Sequence, residues 1–211
     1  MLIFCDFDGT YTDTDITNLI WDRHLWPDWR ERLLPDYRAG KTTTLDLMAA
    51  GYRELTQTAD ELLGSVRADI RIRSGFDKLA AECRARGWPL HIVSNGLDWY
   101  IRDLLPPGMG IPVHCYRAEL NCCWQVTLPE GITLEPGQDF KVRVCEGLRA
   151  QHPQRETVFI GDGRNDFPVA ASCDRVFAVK GSTLARLCAE SGKAHVEFES
   201  FESVVQRLIE Q

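Results

Sequence analysis

The sequence predicts an α/β fold: a doubly wound, Rossmann-like parallel sheet with a helical segment inserted after the first strand. Short apolar runs alternate with helical patterns, and each run ends in a polar or glycine-rich turn. Between the first run and the second, residues 12–73 show helical periodicity and no strand pattern. Alternating strands and helices favour parallel strands joined by right-handed crossovers. Ligands bind such sheets at the carboxyl ends of the strands, where the polar turns lie.

Four apolar runs have the length and composition of buried strands. They are Leu2–Cys5, Leu90–Val93, Thr157–Ile160 and Arg175–Val179. The segments between and after them carry helical patterns over Phe76–Arg86, Asp98–Leu105, Phe140–Gln151, Asn165–Ser172 and Ser182–Ser191. A second irregular stretch, 114–139, is rich in Gly and Pro and is predicted to hold a small β excursion around Trp124–Leu128.

The interruption after the first strand predicts two domains: a core of residues 1–12 and 74–211, and a helical lid of residues 13–73 over the strand ends. Two signals place helix starts within the lid, with Asp13 or Thr14 capping the first helix and Thr44 capping a later one. Pro27 and Pro35 are expected to interrupt the helical pattern.

Charge and composition exclude several classes of protein. The 211 residues carry a formal net charge of −7, so no basic stripe is available for wrapping DNA or RNA. No basic side chain precedes the apolar run at the N-terminus, and the run itself is too short for a signal peptide or a membrane span. We therefore expect a cytoplasmic protein with no membrane partner, whose eight cysteines are reduced.

The first chemical motif is Asp6-Phe7-Asp8-Gly9-Thr10, at the end of the first strand. The alternation of a strand puts Asp6 and Asp8 on one side and turns Phe7 into the core. Two adjacent carboxylates suit a nucleophile beside a general acid–base. Asp6 is predicted to attack phosphorus and Asp8 to protonate the leaving oxygen, while Thr10 donates to a phosphate oxygen. The alternative is a pair of solvated loop aspartates.

Two further elements supply groups for an anionic ligand. Ser94-Asn95-Gly96 follows the second strand, so the Ser94 hydroxyl is a candidate phosphate donor, although an ordinary turn fits equally well. Lys141 starts a predicted helix and is the preferred cation for a phosphoryl group; Lys180 is its rival. The candidate phosphate-binding residues are Thr10, Ser94, Asn95, Gly96 and Asn165.

The last motif, Gly161-Asp162-Gly163-Arg164-Asn165-Asp166, follows the third predicted strand. Its acidic oxygens suit Mg²⁺, and the spacing lacks the closing Glu of an EF-hand loop. Asp162 and Asp166 are therefore predicted to share a magnesium ion with Asp6. The ion would cancel the carboxylate repulsion that blocks an anionic substrate.

In this order, these motifs resemble the signature of the haloacid dehalogenase superfamily, and the resemblance covers the whole chain. It implies a Rossmann-like core, an aspartyl-phosphate mechanism, and Mg²⁺ held by Asp6, Asp162 and the backbone carbonyl of Asp8. A helical lid after the first motif resembles the C1-capped branch, so the expected substrate is a small phosphorylated metabolite.

Within that branch, residues 6–16 and 94–100 look most like the methionine-salvage phosphatases, which act on 2-hydroxy-3-keto-5-methylthiopentenyl-1-phosphate. Asn95 departs from the Gly usual in those enzymes. Phosphoserine phosphatases hold the substrate amine with a Glu after the first motif, where this chain offers Asp13 and Asp15. A phosphoserine phosphatase-like enzyme, a phosphotransferase or mutase, a signalling receiver domain and a non-catalytic binding protein remain alternatives.

Sequence alone leaves the role of three sets of residues open. His114, Cys115, Cys122 and Cys123 could bind zinc, but their spacing favours reduced thiols. The lid tryptophans are more typical of a small core than of a substrate platform; they are Trp21, Trp26 and Trp29. Four lid arginines are candidates for holding a substrate carboxylate: Arg23, Arg30, Arg38 and Arg53.

Overall fold

The computed structural model describes residues 1–210, so Gln211, the last residue of the predicted core, lies outside the described residues. Its seven-stranded sheet has the order β4-β3-β2-β1-β5-β6-β7. The strands are β1 (Leu2–Cys5), β2 (Leu90–Leu97), β3 (Val113–Leu120), β4 (Trp124–Thr127), β5 (Thr157–Gly161), β6 (Arg175–Val179) and β7 (Val196–Phe198). β1 pairs in parallel with β2 on one side and β5 on the other, which confirms the α/β prediction. Only β4 runs antiparallel to its neighbour among the described strands.

Ten α-helices accompany the sheet within residues 1–210. They are α1 (Ile16–His24), α2 (Trp29–Arg38), α3 (Thr44–Arg53), α4 (Ala59–Val66), α5 (Phe76–Ala85), α6 (Asp98–Leu104), α7 (Phe140–Gln151), α8 (Phe167–Ser172), α9 (Thr183–Ser191) and α10 (Phe201–Ile209). The first four fill residues 13–73, which we call the helical insertion, as predicted. The division into two domains stays a prediction. No helix among residues 1–210 is long and apolar enough to cross a membrane.

Several predicted boundaries were wrong. β2 continues to Leu97, so Ser94-Asn95-Gly96 belongs to the strand rather than to a turn after it. The stretch called irregular begins with β3, whose polar residues hide a strand that is half-exposed near the sheet edge. The three-residue β7 and the helix α10 were missed altogether, and α8 begins after Asn165, at Phe167.

The helix starts in the insertion also differ by one or two residues from the prediction. Asp15 caps α1, where its Oδ1 accepts a hydrogen bond of 2.8 Å from the Asn18 amide. Thr43 caps α3 in a capping box with Asp46. Pro35 lies inside α2 instead of ending it. Since any of several neighbouring polar residues can reach the free amides of a first turn, sequence alone does not select one.

The insertion is tied to the core where the chain leaves and re-enters it. Thr12 and Ile72 form an antiparallel bridge. Beside it, the Arg73 side chain donates to the carbonyl oxygens of Thr10, at 2.8 Å, and Gly9, at 3.0 Å. The two connecting segments are therefore held side by side, next to the first motif.

Aromatic side chains form the interior of the insertion. Trp21 and Trp29 are buried and meet edge to face, with ring centroids 5.0 Å apart. Tyr52 packs on Trp21 and reaches Trp124 of β4, at centroid distances of 5.8 and 6.2 Å. The tryptophans thus pack the insertion and join it to the sheet edge, as the aromatic pattern favoured.

Gly51 of α3 gives a test of this packing. A Cβ atom there would lie 2.2 Å from the Trp21 ring, so Gly51→Ala is expected to lower the free energy of unfolding by about 1–3 kcal/mol. Gly64 of α4 is the matched control, because a Cβ there meets no atom within 4 Å. Gly64→Ala should be neutral or raise stability by up to about 1 kcal/mol through helix propensity. Urea unfolding of both variants measures the difference; equal stabilities would contradict the packing described.

Candidate active site

The polar ends of β1, β2 and β5 converge on one cavity of about 1180 Å³ between the sheet and the helical insertion. Nine of the ten predicted site residues line it: Asp6, Asp8, Ser94, Asn95, Gly96, Lys141, Asp162, Asn165 and Asp166. The tenth, Thr10, is buried outside the lining. The structure therefore brings together residues that are up to 160 positions apart in the chain.

Lys141 is the centre of the site. Its Nζ donates to Asp6 Oδ1 at 2.6 Å and to Asp166 Oδ1 at 2.7 Å, and all three side chains are buried. Asp139 caps α7 by accepting from the Val142 amide at 3.1 Å, which places Lys141 in the first turn. A cation is unfavourable at that end of a helix dipole, so the two carboxylates must compensate for it.

Asp166 supports the loop that follows β5. Its Oδ2 accepts hydrogen bonds from the amides of Asp162, at 2.9 Å, and Gly163, at 2.8 Å. Both of its oxygens are thus engaged, one by the lysine and one by the backbone. Gly161 leaves room for this arrangement, because a Cβ there would lie 2.5 Å from Asp166 Oδ2.

Thr10 and Gly9 position Asp162. The Thr10 hydroxyl donates to Asp162 Oδ1 at 3.0 Å, so in this structure it orients a carboxylate. Gly9 has a φ of +80°, and a Cβ there would lie 2.5 Å from Asp162 Oδ2. The glycine of the first motif therefore allows both the left-handed turn and the close approach of Asp162.

The site carries more negative charge than one lysine can compensate. Burial, followed by the charge of Asp166, raises the pKa of Asp162 to about 7. Burial disfavours the charged form of Lys141, yet the carboxylates of Asp166 and Asp6 outweigh it and raise the pKa of the lysine well above its usual value. The lysine thus stays protonated while the carboxylates repel one another.

The acidic groups meet the requirements of a hard divalent cation. Asp6, Asp162 and Asp166 each bring one carboxylate oxygen to within 4.8 Å of the others, the one such group of metal-binding side chains among residues 1–210. Carboxylate oxygens are the ligands that such cations prefer. A bound cation would also offset the charge of Asp166, which adds to burial in raising the pKa of Asp162.

Asp8 has a separate set of contacts. Its Oδ1 accepts from the Ile16 amide at 3.0 Å and its Oδ2 from the Tyr100 hydroxyl at 2.8 Å. Burial, followed by the charge of Asp15, raises the pKa of Asp8 to about 7. Sequence analysis did not single out the role of Tyr100, which lies four residues beyond Gly96 in the next element.

The β2 motif lies against the cavity. The Ser94 hydroxyl accepts from the Gly96 amide at 3.0 Å and keeps its own proton for another acceptor. Asn95 is buried, and neither its amide nitrogen nor its amide oxygen has a hydrogen-bond partner among residues 1–210. A buried, unsatisfied amide costs free energy, which is a reason to keep Asn95 as a candidate binding residue.

The helical insertion reaches the core at Asn165. The Tyr37 hydroxyl of α2 donates to Asn165 Oδ1, and Thr44 donates to the same hydroxyl at 3.4 Å. Since Tyr37 takes the oxygen of the amide, the two N–H groups of Asn165 are left to act as donors. Tyr37 was not predicted as a site residue, because a single tyrosine within a helical pattern does not indicate which residue it contacts.

The other candidates separate into those at the cavity and those elsewhere. Of the four arginines, Arg30 and Arg38 line the cavity, and Arg30 also pairs with Asp22. Lys180 pairs with Glu199 on the surface, at 2.7 Å, and does not line the cavity.

The candidate zinc ligands lie apart from the cavity. His114 Nε2 lies 3.2 Å from His91 Nδ1, Cys115 is buried, and Cys122 is exposed at the β3–β4 turn.

Comparison with known proteins identifies the family of the chain. The family model for haloacid dehalogenase-like hydrolases matches residues 3–171, which includes all ten predicted site residues. The chain belongs to that family.

Curated relatives match nearly the whole chain. The chain is 30% identical to a 2-hydroxy-3-keto-5-methylthiopentenyl-1-phosphate phosphatase of Geobacillus kaustophilus, with 99% of this chain and 95% of that protein covered. It is 22% identical to Pdp3-interacting factor 1 of Schizosaccharomyces pombe, with 99% and 94% covered. A solved phosphoserine phosphatase with a phospho-aspartyl intermediate analogue superposes with a TM-score of 0.70 at 17% identity, covering 98% and 97%. That likeness shows a shared fold.

Lys141 gives a test of the buried charge cluster. Lys141→Met leaves Asp6 and Asp166 without their cation, so we expect the free energy of unfolding at neutral pH to fall by about 3–5 kcal/mol. The matched control is Lys180→Met, which removes an exposed pair and should leave stability close to wild type. Denaturant unfolding of both variants provides the comparison. A Lys141→Met protein as stable as the control would show that the cluster does not depend on the lysine.

Proposed function

We propose that this family member is a Mg²⁺-dependent phosphatase that hydrolyses a small phosphorylated metabolite through an aspartyl phosphate on Asp6. The observation that carries the proposal is the separate support of two adjacent carboxylates. Asp6 is held by Lys141, whereas Asp8 is held by Ile16 and Tyr100. Two carboxylates in different environments can take different roles, one as nucleophile and one as acid–base.

In the first step, an oxygen of Asp6 bonds to phosphorus and the ester P–O bond breaks. Lys141, Ser94 and the amide of Asn165 offer N–H and O–H groups to the phosphoryl oxygens. The leaving oxygen takes a proton from Asp8, whose pKa near 7 suits a group that donates a proton and later accepts one.

In the second step, Asp8 accepts a proton from water as the water oxygen bonds to phosphorus. The bond between phosphorus and Asp6 then breaks and inorganic phosphate leaves. Both residues return to their starting protonation states, so atoms and charge balance over the cycle.

The magnesium ion is part of the proposal. Asp6, Asp162 and the backbone carbonyl of Asp8 would hold it, with Asp166 behind them. When bound, it supplies positive charge that lets an anionic ester approach a carboxylate nucleophile. The raised pKa of Asp162 supports this role, since the charge of Asp166 adds to burial in raising it and a bound cation would offset that charge.

The relatives support one substrate above others, 2-hydroxy-3-keto-5-methylthiopentenyl-1-phosphate, because similarity to phosphatases of that name extends over nearly the whole chain. A phosphoserine phosphatase-like activity is the second candidate. Asp15 favours it, since this carboxylate lines the cavity and could hold a substrate amine, whereas Asp13 does not line it. A phosphotransferase or mutase would use the same aspartyl phosphate with a hydroxyl acceptor in place of water.

We propose a cytoplasmic location because the cysteines form no disulfide. All eight cysteines are free, and six of them are buried in the packed interior. A reducing compartment is where such thiols persist.

Phosphate release from a panel of esters tests the proposed function. The panel contains the methionine-salvage ester, phosphoserine, several alkyl phosphates and p-nitrophenyl phosphate, each with Mg²⁺ and with EDTA. We expect Mg²⁺-dependent turnover that falls by at least about 1,000-fold in Asp6→Asn, because the amide is a poor nucleophile.

The matched control is Asp77→Asn, an exposed carboxylate at the start of α5, which should keep wild-type turnover. Turnover by Asp6→Asn at the level of Asp77→Asn would contradict the proposed nucleophile. The ester with the highest kcat/KM identifies the substrate class, and a phosphorylated acceptor in place of free phosphate would indicate a transferase.

A further inference from the structure

Tyr100 makes a contact whose consequence for the reaction the proposed mechanism does not state. Its side chain is fully buried in α6, and its hydroxyl donates to Asp8 Oδ2 at 2.8 Å. The other oxygen of Asp8 accepts from the Ile16 amide, at 3.0 Å, at the start of α1. The Asp8 carboxylate is therefore fixed from two directions, by the core through Tyr100 and by the helical insertion through Ile16.

Gly96 explains how the tyrosine can come so close. A Cβ atom at position 96 would lie 2.2 Å from the Tyr100 hydroxyl oxygen and 2.5 Å from Asp8 Oδ2, both shorter than real Cβ contacts. Gly96 has no positive φ, so its backbone conformation does not require glycine. The missing side chain instead provides the space in which the hydroxyl meets the carboxylate.

The ring of Tyr100 is held without help from the hydroxyl. It packs edge to face on Trp99, with centroids 5.2 Å apart, and lies 6.3 Å from the ring of Phe7. Burial, followed by the charge of Asp8, raises the pKa of Tyr100, so the hydroxyl keeps its proton and serves as the donor. Replacing Tyr100 by Phe therefore removes one hydrogen bond and leaves the aromatic packing in place.

We infer that Tyr100 is the positioning residue for Asp8, holding its carboxylate in the orientation from which it protonates the leaving group. The absence of a side chain at Gly96 leaves the space that this contact needs. The inference rests on the proposed function, since it concerns the acid step of that reaction. Asp6 is not part of it, because Lys141 and not Tyr100 contacts the nucleophile.

The inference has a consequence that depends on the leaving group. An alkoxide needs a proton in order to leave, so hydrolysis of an alkyl phosphate depends on a correctly placed acid. A nitrophenolate leaves without one. Loss of the Tyr100 hydroxyl should therefore slow phosphoryl transfer from alkyl esters and spare transfer from p-nitrophenyl phosphate, whereas a general loosening of the site would slow both equally.

The experiment compares kcat/KM for p-nitrophenyl phosphate with kcat/KM for the best alkyl phosphate of the panel, because kcat/KM reports the steps up to leaving-group release. For Tyr100→Phe we expect a loss of about 10-fold or more on the alkyl ester and less than about 3-fold on the aryl ester. Tyr11→Phe is the matched control: Tyr11 is also buried, stacks on Phe7 and donates to a backbone carbonyl, at Leu104. Its ratio of alkyl to aryl kcat/KM should equal that of wild type.

Each outcome separates the two proposals. A selective loss in Tyr100→Phe, absent from Tyr11→Phe, supports the positioning role. Equal losses on both esters, or none on either, would overturn it while wild-type turnover leaves the phosphatase proposal standing. A wild-type protein that hydrolyses neither ester in an Asp6-dependent way would overturn both.

Discussion

The rest of the site depends on one buried ammonium group between two carboxylates. Lys141, in the first turn of α7, donates hydrogen bonds to Asp6 at the end of β1 and to Asp166 after β5. It therefore connects three segments that are distant in the chain. Burying these charges is costly for each of them and becomes acceptable only because they are paired. The cluster keeps a net negative charge, which favours a bound cation and adds to burial in raising the pKa of Asp162.

The two carboxylates of the first motif differ because their surroundings differ. Asp6 faces the lysine and the acidic loop, whereas Asp8 faces a tyrosine hydroxyl and the amide at the start of α1. Residues 13–73 therefore do more than cover the cavity, because their first helix supplies a contact to one carboxylate. Their second helix contacts the core through Tyr37 and Asn165. These contacts link the position of the insertion to the arrangement of the site.

Sequence reasoning found the groups that lie at strand ends, because the end of a buried apolar run can be read directly and parallel strands bring their ends together. Asp6 and Asp162 were found in this way, whereas Lys141 was found as a cation at the start of a predicted helix. Tyr100, Tyr37 and the reason for Gly96 were not, since each depends on which side chain from another element comes near. The N-cap at Asp15 was misplaced and the strand β3 was missed for a local reason, namely that neighbouring polar residues and half-exposed strands give ambiguous patterns.

The central claim is that Asp6 carries the phosphoryl group during turnover. The most direct measurement is to quench the enzyme during turnover of its best ester, reduce it with borohydride and map the product by peptide mass spectrometry. Borohydride converts an aspartyl phosphate to homoserine, so the account predicts homoserine at position 6 and unchanged aspartate at positions 8, 162 and 166. Rapid phosphate release with Asp6 unmodified throughout, or reduction at another aspartate, would contradict it.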